Sequence, residues 1–154
     1  RRGLTAPTLQ QMILRSVEKS DSLRDTATFA FTVMPDHVHW LVRPGQRLSL
    51  GRVVGRFKSE TRAGLAGADL YWQRDLFERR LRAEEKVQDY GRDIFLNPDR
   101  ARLLEPTAIW PGWRCPKPEN MGFLMRKNLD GSVPEEWMEA EEMEGELGRR
   151  TGLD

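Results

Sequence analysis

The stretch "MPDHVHWLV" (residues 34–42) holds both histidines of a 154-residue chain, one residue apart in an otherwise apolar run. Residues i and i+2 of a β-strand share a face. His37 and His39 therefore point together, while Val38, Trp40 and Val42 alternate onto the other side. Two neutral imidazoles side by side form a metal-ligand pair that needs further ligands. For an isolated HxH the simpler reading is two partly buried strand histidines with ordinary hydrogen bonds, because so short a motif recurs by chance.

The elements that would position this pair follow from periodicity. "APTLQQMILRSVEKS" (6–20) spaces Leu9, Met12, Ile13 and Val17 at helical intervals, with Pro7 tolerated in the first turn. "TATFAFTVM" (26–34) is β-branched and aromatic, and "PD" makes a tight turn into "HVHWLVR", which predicts a hairpin. Helical spacing returns over 49–66 through Leu50, Val53, Val54, Phe57 and Leu65. "YWQRDLFERRLR" (71–82) is strand-like at its end, and 83–97 reads as a third helix stopped by Pro98. "WPGWRCPKP" (110–118) is a loop by its Pro and Gly content. The order helix, strand, strand, helix, strand, helix predicts a small α+β domain with a ferredoxin-like antiparallel sheet and helices on one face. Its usual first strand has no counterpart in the five residues before the first helix.

Composition narrows the class. No apolar run approaches a membrane span, and residues 1–25 lack the hydrophobic stretch of a signal peptide. The single Cys115 excludes an internal disulfide and suits a reducing cytoplasm. The net charge of +1 hides a division. Residues 1–117 carry 21 Lys and Arg against 14 Asp and Glu, whereas 118–154 carry 4 against 10. This divides the chain into a basic body (1–117), as a nucleic-acid binder tends to have, and an acidic C-terminal tail (118–154). The simpler reading of the tail is a solvated segment. The alternative is a helix starting at Pro134 that competes with DNA phosphates for the basic surface.

The ordered set "VMPDHVHWLV", "RFKSET", "WQRDLFERRLRAEE" and "NPDRARLL", over roughly residues 4–105, resembles the REP-associated tyrosine transposases, a single-tyrosine branch of the HUH nucleases. Four motifs in order are far more specific than HxH alone. The resemblance implies a divalent metal, Mg²⁺ or Mn²⁺, held by His37 and His39, and a scissile phosphate of single-stranded or hairpin DNA. It also implies a tyrosine on the last helix that attacks that phosphate, and leaves a homodimer open. The family's third metal ligand falls on Asn97, and its nucleophile position falls on Asp93, which is not tyrosine. Asp93 could ligate a hard ion or face solvent as an ordinary helix carboxylate. Tyr90 lies about 20° around the helix from Asn97 but roughly 10 Å along its axis, a poor distance for a substitute nucleophile.

The remaining expectations concern DNA contact. Arg52, Arg56, Lys58 and Arg62 lie on the polar side of the second helix, where they could hold phosphates or form a solvated face. Trp72 fits the family's "WQ" motif, and with Trp110 and Trp113 it could stack on bases or simply pack. Cys115 has no paired base and is not expected to be a nucleophile. Two functions follow from the resemblance: a metal-dependent transposase, or a DNA-binding relative that has lost its tyrosine. A barrel-type metal hydrolase would need about 250 residues and more ligands.

Overall fold

The computed structural model describes residues 2–74, 81, 86–105, 107–128, 130–139 and 151–152. Helix α1 (Pro7–Ser22) buries Leu9, Ile13, Leu14 and Val17, the stripe that its 3.6-residue spacing requires. Strands β1 (Thr26–Val33) and β2 (His37–Pro44) pair antiparallel, from Thr26 opposite Pro44 to Val33 opposite Val38, with an irregularity between Thr28 and Ala30. Helix α2 (Leu50–Gly67) starts at Ser49, whose hydroxyl accepts from the Arg52 amide at 3.3 Å. Helix α3 (Val87–Arg100), the short strand β3 (Trp113–Arg114), helix α4 (Glu135–Glu139) and the two-residue strand β4 (Thr151–Gly152) follow. The sheet order is β3-β1-β2-β4, so the histidine strand is interior.

This is the expected α+β class with an antiparallel sheet. The one-sided helical layer holds for α1 and α2, whose side chains pack with Phe31, Val33 and Val38. Helix α3 lies on the other face, packing Tyr90, Ile94 and Leu96 against Ala30 and Leu41. Alternation explains the two layers: β1 and β2 carry large apolar residues at both parities, so each face needs a cover. Phe31, Trp40, Phe57 and Trp72 form a chain of rings with successive centroids 5.7, 5.6 and 5.4 Å apart beneath the first layer.

Three expectations differ from what is observed. Helix α3 runs through Pro98 to Arg100. Near a helix C-terminus, the missing proline N–H costs one bond of a ladder about to end, so the turn survives. The 110–118 loop contains β3, because Trp113 and Arg114 pair with Thr32 and Phe31 and the Trp110 indole donates to the Val33 carbonyl at 2.9 Å. The C-terminal segment is not simply solvated: Met121, Phe123 and Trp137 are buried beside Tyr90 and Leu96. The strand expected within 71–82 falls largely on residues 75–80 and 82, outside the described residues.

One buried charge holds the α1–β1 turn to the rest. Asp25, only 1% exposed, accepts from Arg47 at 2.7–2.9 Å and from Arg56 of α2 at 2.6 Å. Its own backbone carbonyl accepts from the Gly45 amide at 2.7 Å. A Cβ on Gly45 would sit 2.4 Å from the Arg24 carbonyl oxygen, so the close approach requires glycine. The Arg47 hydrogen bonds, with Arg56 adding to them, hold the Asp25 carboxyl below the usual carboxylate range.

Because its native pKa is depressed, ionised Asp25 favours the fold above its unfolded value of about 3.9, and that contribution is lost as pH falls through the native value. Asp25→Asn should therefore lower the melting temperature at pH 7 by on the order of 5 °C, through the loss of the charge-assisted hydrogen bonds that its buried carboxylate accepts. The gap from the wild type should narrow below about pH 4. A gap that stays constant from pH 7 to pH 3 in thermal melts would contradict this. Phe123→Ala should cost about 3–5 kcal/mol in urea unfolding if the C-terminal segment is part of the core. A loss below about 1 kcal/mol would separate that segment from it.

Candidate metal centre and nucleic-acid interface

The site is built on the face of β2 opposite the aromatic layer. Val38 and Trp40 pack with α1 and α2, which turns His37, His39 and Leu41 toward the side covered by α3. The Nε2 atoms of His37 and His39 converge to 2.9 Å, their rings nearly perpendicular at 80°. His39 is 7% exposed, and the His37 side chain keeps 21% of its surface open. The pair therefore sits at the boundary of core and solvent, where an ion can arrive and a polar group need not be wholly desolvated.

Asp36 sets the orientation. Its carboxylate lies 2.6 Å from Nδ1 of His37. A carboxylate can only accept, so this contact puts the proton on Nδ1 and leaves the Nε2 lone pair facing His39. His39 Nε2–H then donates to that lone pair. Asp36 was read from sequence only as a turn residue. The signal was there, since a carboxylate directly precedes the motif, but the hydrogen bond depends on how the turn closes. Met34 and His37 bond across it, N to O, at 2.8 Å.

Thr32 is the second residue that sequence reasoning missed. It is directly opposite His39 in the β1–β2 ladder and shares its face, since Phe31 and Val33 point the other way. Its hydroxyl is fully buried and has no hydrogen-bond partner among the described residues. A buried hydroxyl without a partner costs about 1–3 kcal/mol, so such a group beside two histidines points to something absent from the protein alone. Only the hairpin register could reveal it.

Two imidazole nitrogens 2.9 Å apart at the edge of the core are a donor set that a divalent ion could use. Among the described residues, no group of three or more His, Cys, Asp or Glu side chains is arranged to hold a metal. Oxygen ligands would therefore have to come from an amide, water or substrate.

The other expected site residues are spread more widely. Asn97 and Asp93 share a face of α3, where the Asn97 amide donates to the Asp93 carbonyl at 3.1 Å. The Asp93 carboxylate forms an ion pair with Arg100. Tyr90 is 2% exposed and belongs to the core between α3 and the sheet. Of the four cations proposed on α2, Arg56 is bound to Asp25, and Lys58 donates to the Gln73 carbonyl at 2.7 Å. Arg52 and Arg62 are exposed. The Trp72 indole donates to the buried Thr61 hydroxyl at 2.7 Å and packs against Phe57, which makes it a packing residue here. Trp113 likewise packs edge-on against Phe95 at 5.1 Å. Burial pushes the Cys115 thiol up, away from nucleophilic reactivity.

Comparison with known proteins bears on the same half of the chain. A family model described as "Transposase IS200 like" matches residues 1–84. No curated protein and no solved structure matches. The matched span holds α1, both strands of the hairpin, both histidines and α2, and it stops short of α3. With more than half of its length matched, including the strand on which the histidine pair is built, the chain belongs to the IS200-like transposase family.

Proposed function

We propose that this chain is a transposase relative that binds single-stranded or hairpin DNA at a divalent-metal centre formed by His37 and His39, with a reducing cytoplasm as its setting. The observation that carries this reading is the 2.9 Å convergence of two Nε2 atoms, one of them oriented by Asp36. A Mg²⁺ or Mn²⁺ ion bound there would supply Lewis-acid polarisation of a phosphate oxygen. His37 and His39 bind from one side, Asp36 holds the His37 ring, and the Thr32 hydroxyl offers a donor on the same face. Asn97 on α3 would be the third ligand through its amide oxygen.

The nucleophile separates two forms of this reading. Tyrosine attack needs an exposed phenol beside the metal, whereas Tyr90 is a core residue. Asp93 stands at the family's tyrosine position with its carboxylate on Arg100. A carboxylate attacking phosphate would give a labile acyl phosphate rather than a stable phosphotyrosine. Both observations favour a DNA-binding, metal-binding relative without covalent strand transfer over an active transposase.

Calorimetry should detect Mn²⁺ binding to the full chain, with His37→Ala plus His39→Ala abolishing it and Asp36→Asn weakening it about 10-fold. Undiminished affinity in the double variant would sink the metal centre. Thr32→Val should raise the melting temperature of the metal-free protein by a few degrees while lowering Mn²⁺ affinity, because the orphan hydroxyl is costly only when nothing meets it. Destabilisation without any change in affinity would make Thr32 purely structural.

Covalent capture tests the nucleophile. On a denaturing gel with a labelled hairpin oligonucleotide, the wild type should give no adduct, Tyr90→Phe should match it, and Asp93→Tyr should gain one. A wild-type adduct that Tyr90→Phe removes would make Tyr90 the attacking group.

A further inference from the structure

The end of the hairpin remote from the histidines borders a groove of about 880 Å³. Its walls come from the start of β1, the end of β2, the head of α3 and the segment after β3. Among the described residues four cations line it, Arg24, Arg43, Lys86 and Lys117, and one carboxylate, Asp21. The Asp21 Oδ1 already accepts from the Thr26 hydroxyl at 2.5 Å and from the Thr28 amide and hydroxyl at 3.1 and 2.8 Å. Among the described residues, no ion pair joins any of the four cations to a carboxylate. The Arg43 guanidinium instead lies over the Phe29 ring, 5.3 Å from its centroid.

On the other side of the sheet two arginines share a buried carboxylate, since Arg47 and Arg56 both pair with Asp25. Four cations facing a shared concave space repel one another, and concave walls concentrate their field. A chain of phosphates relieves that repulsion and gains the release of its own counterions. The groove has the volume of a small-molecule pocket, room for a few nucleotides of one strand and not for a duplex. Arg43 lies four residues beyond His39 on the same face of β2, about 13 Å along the strand. Leu41, buried between them, separates the two places.

We infer that this groove is a second DNA-binding site, one that holds the backbone phosphates of single-stranded DNA apart from the histidine centre. The inference takes its DNA substrate from the function proposed above, but its contacts are its own. It also moves the main phosphate contact from α2, where the sequence pattern had suggested it, to the opposite face of the sheet.

The test is fluorescence anisotropy of a labelled twelve-nucleotide oligothymidine with the full chain across a salt series. Arg43→Glu plus Lys117→Glu should weaken binding at least 10-fold at low salt. It should also reduce the slope of log affinity against log salt by about 1.4, as loss of two single-strand phosphate contacts requires. Arg43→Gln plus Lys117→Gln should give a smaller loss in the same direction, and melting temperatures equal to the wild type would show that both variants fold. Arg52→Glu plus Arg62→Glu on α2 should weaken binding less than about 3-fold, because those cations stand on a convex face. Wild-type affinity and slope in both groove variants would overturn the inference, as would a wild-type chain that ignores the oligothymidine. Mn²⁺ calorimetry on the groove variants separates the two readings. Metal binding retained while DNA binding falls supports the groove. Metal binding absent from every form, with groove-dependent DNA binding intact, would remove the histidine centre and leave the groove standing.

Discussion

The arrangement depends on the register of one hairpin. Alternation along β2 sends Val38 and Trp40 into the aromatic layer under α1 and α2, and sends His37, His39 and Leu41 to the other face. A slip of one residue would exchange these sets, burying two imidazoles among Phe31 and Phe57 and exposing a tryptophan. The penalty for burying those polar rings, added to the lost apolar contacts, pins the register strongly. The same pairing brings Thr32 opposite His39 and closes the turn that puts Asp36 on His37. The chemistry of the site therefore follows from a packing decision made on the opposite face of the sheet.

Charge placement follows a similar logic. The basic body suggested by composition is not a uniform positive surface. Part of it is consumed by structure: Arg47 and Arg56 neutralise Asp25, Lys58 caps backbone carbonyls, Arg100 holds Asp93, and Lys19 meets Glu60 between α1 and α2. Those cations are held by good local geometry and offer little to a distant phosphate. Among the described residues, four cations without carboxylate partners gather around the groove at the other end of the hairpin. Counting charges along the chain could not separate these two populations, because their partners come from other elements.

Family membership and chemistry do not extend over the same residues. The matched span covers the histidine-bearing half, while Tyr90, Asp93 and Asn97 all lie on α3 beyond it. Within α3 the polar residues are engaged along the helix and the tyrosine is packed inside. The histidine pair and the α3 residues depend on different elements of the fold. The hairpin needs the aromatic layer, whereas a reactive tyrosine needs one exposed position on a separate helix.

The sequence by itself determined the local elements and the partnership of the histidines. Period-2 alternation over 37–42 puts His37 and His39 on one face in any sheet, and helical spacing over 6–20 and 49–66 marks α1 and α2. These signals are short-range, and they are strong because each element must bury one coherent face. What only the tertiary structure decided lies across sequence separation. The burial of Trp137 and Phe123 beside Tyr90 and the capture of Arg56 by Asp25 each depend on neighbours that local pattern cannot name. The Thr32 hydroxyl is the sharpest case. In sequence it is an unremarkable strand threonine, and only the pairing of Thr32 with His39 leaves its oxygen buried beside the histidine face. Register is set by the sum of packing on both faces of a sheet, and no single strand carries that sum.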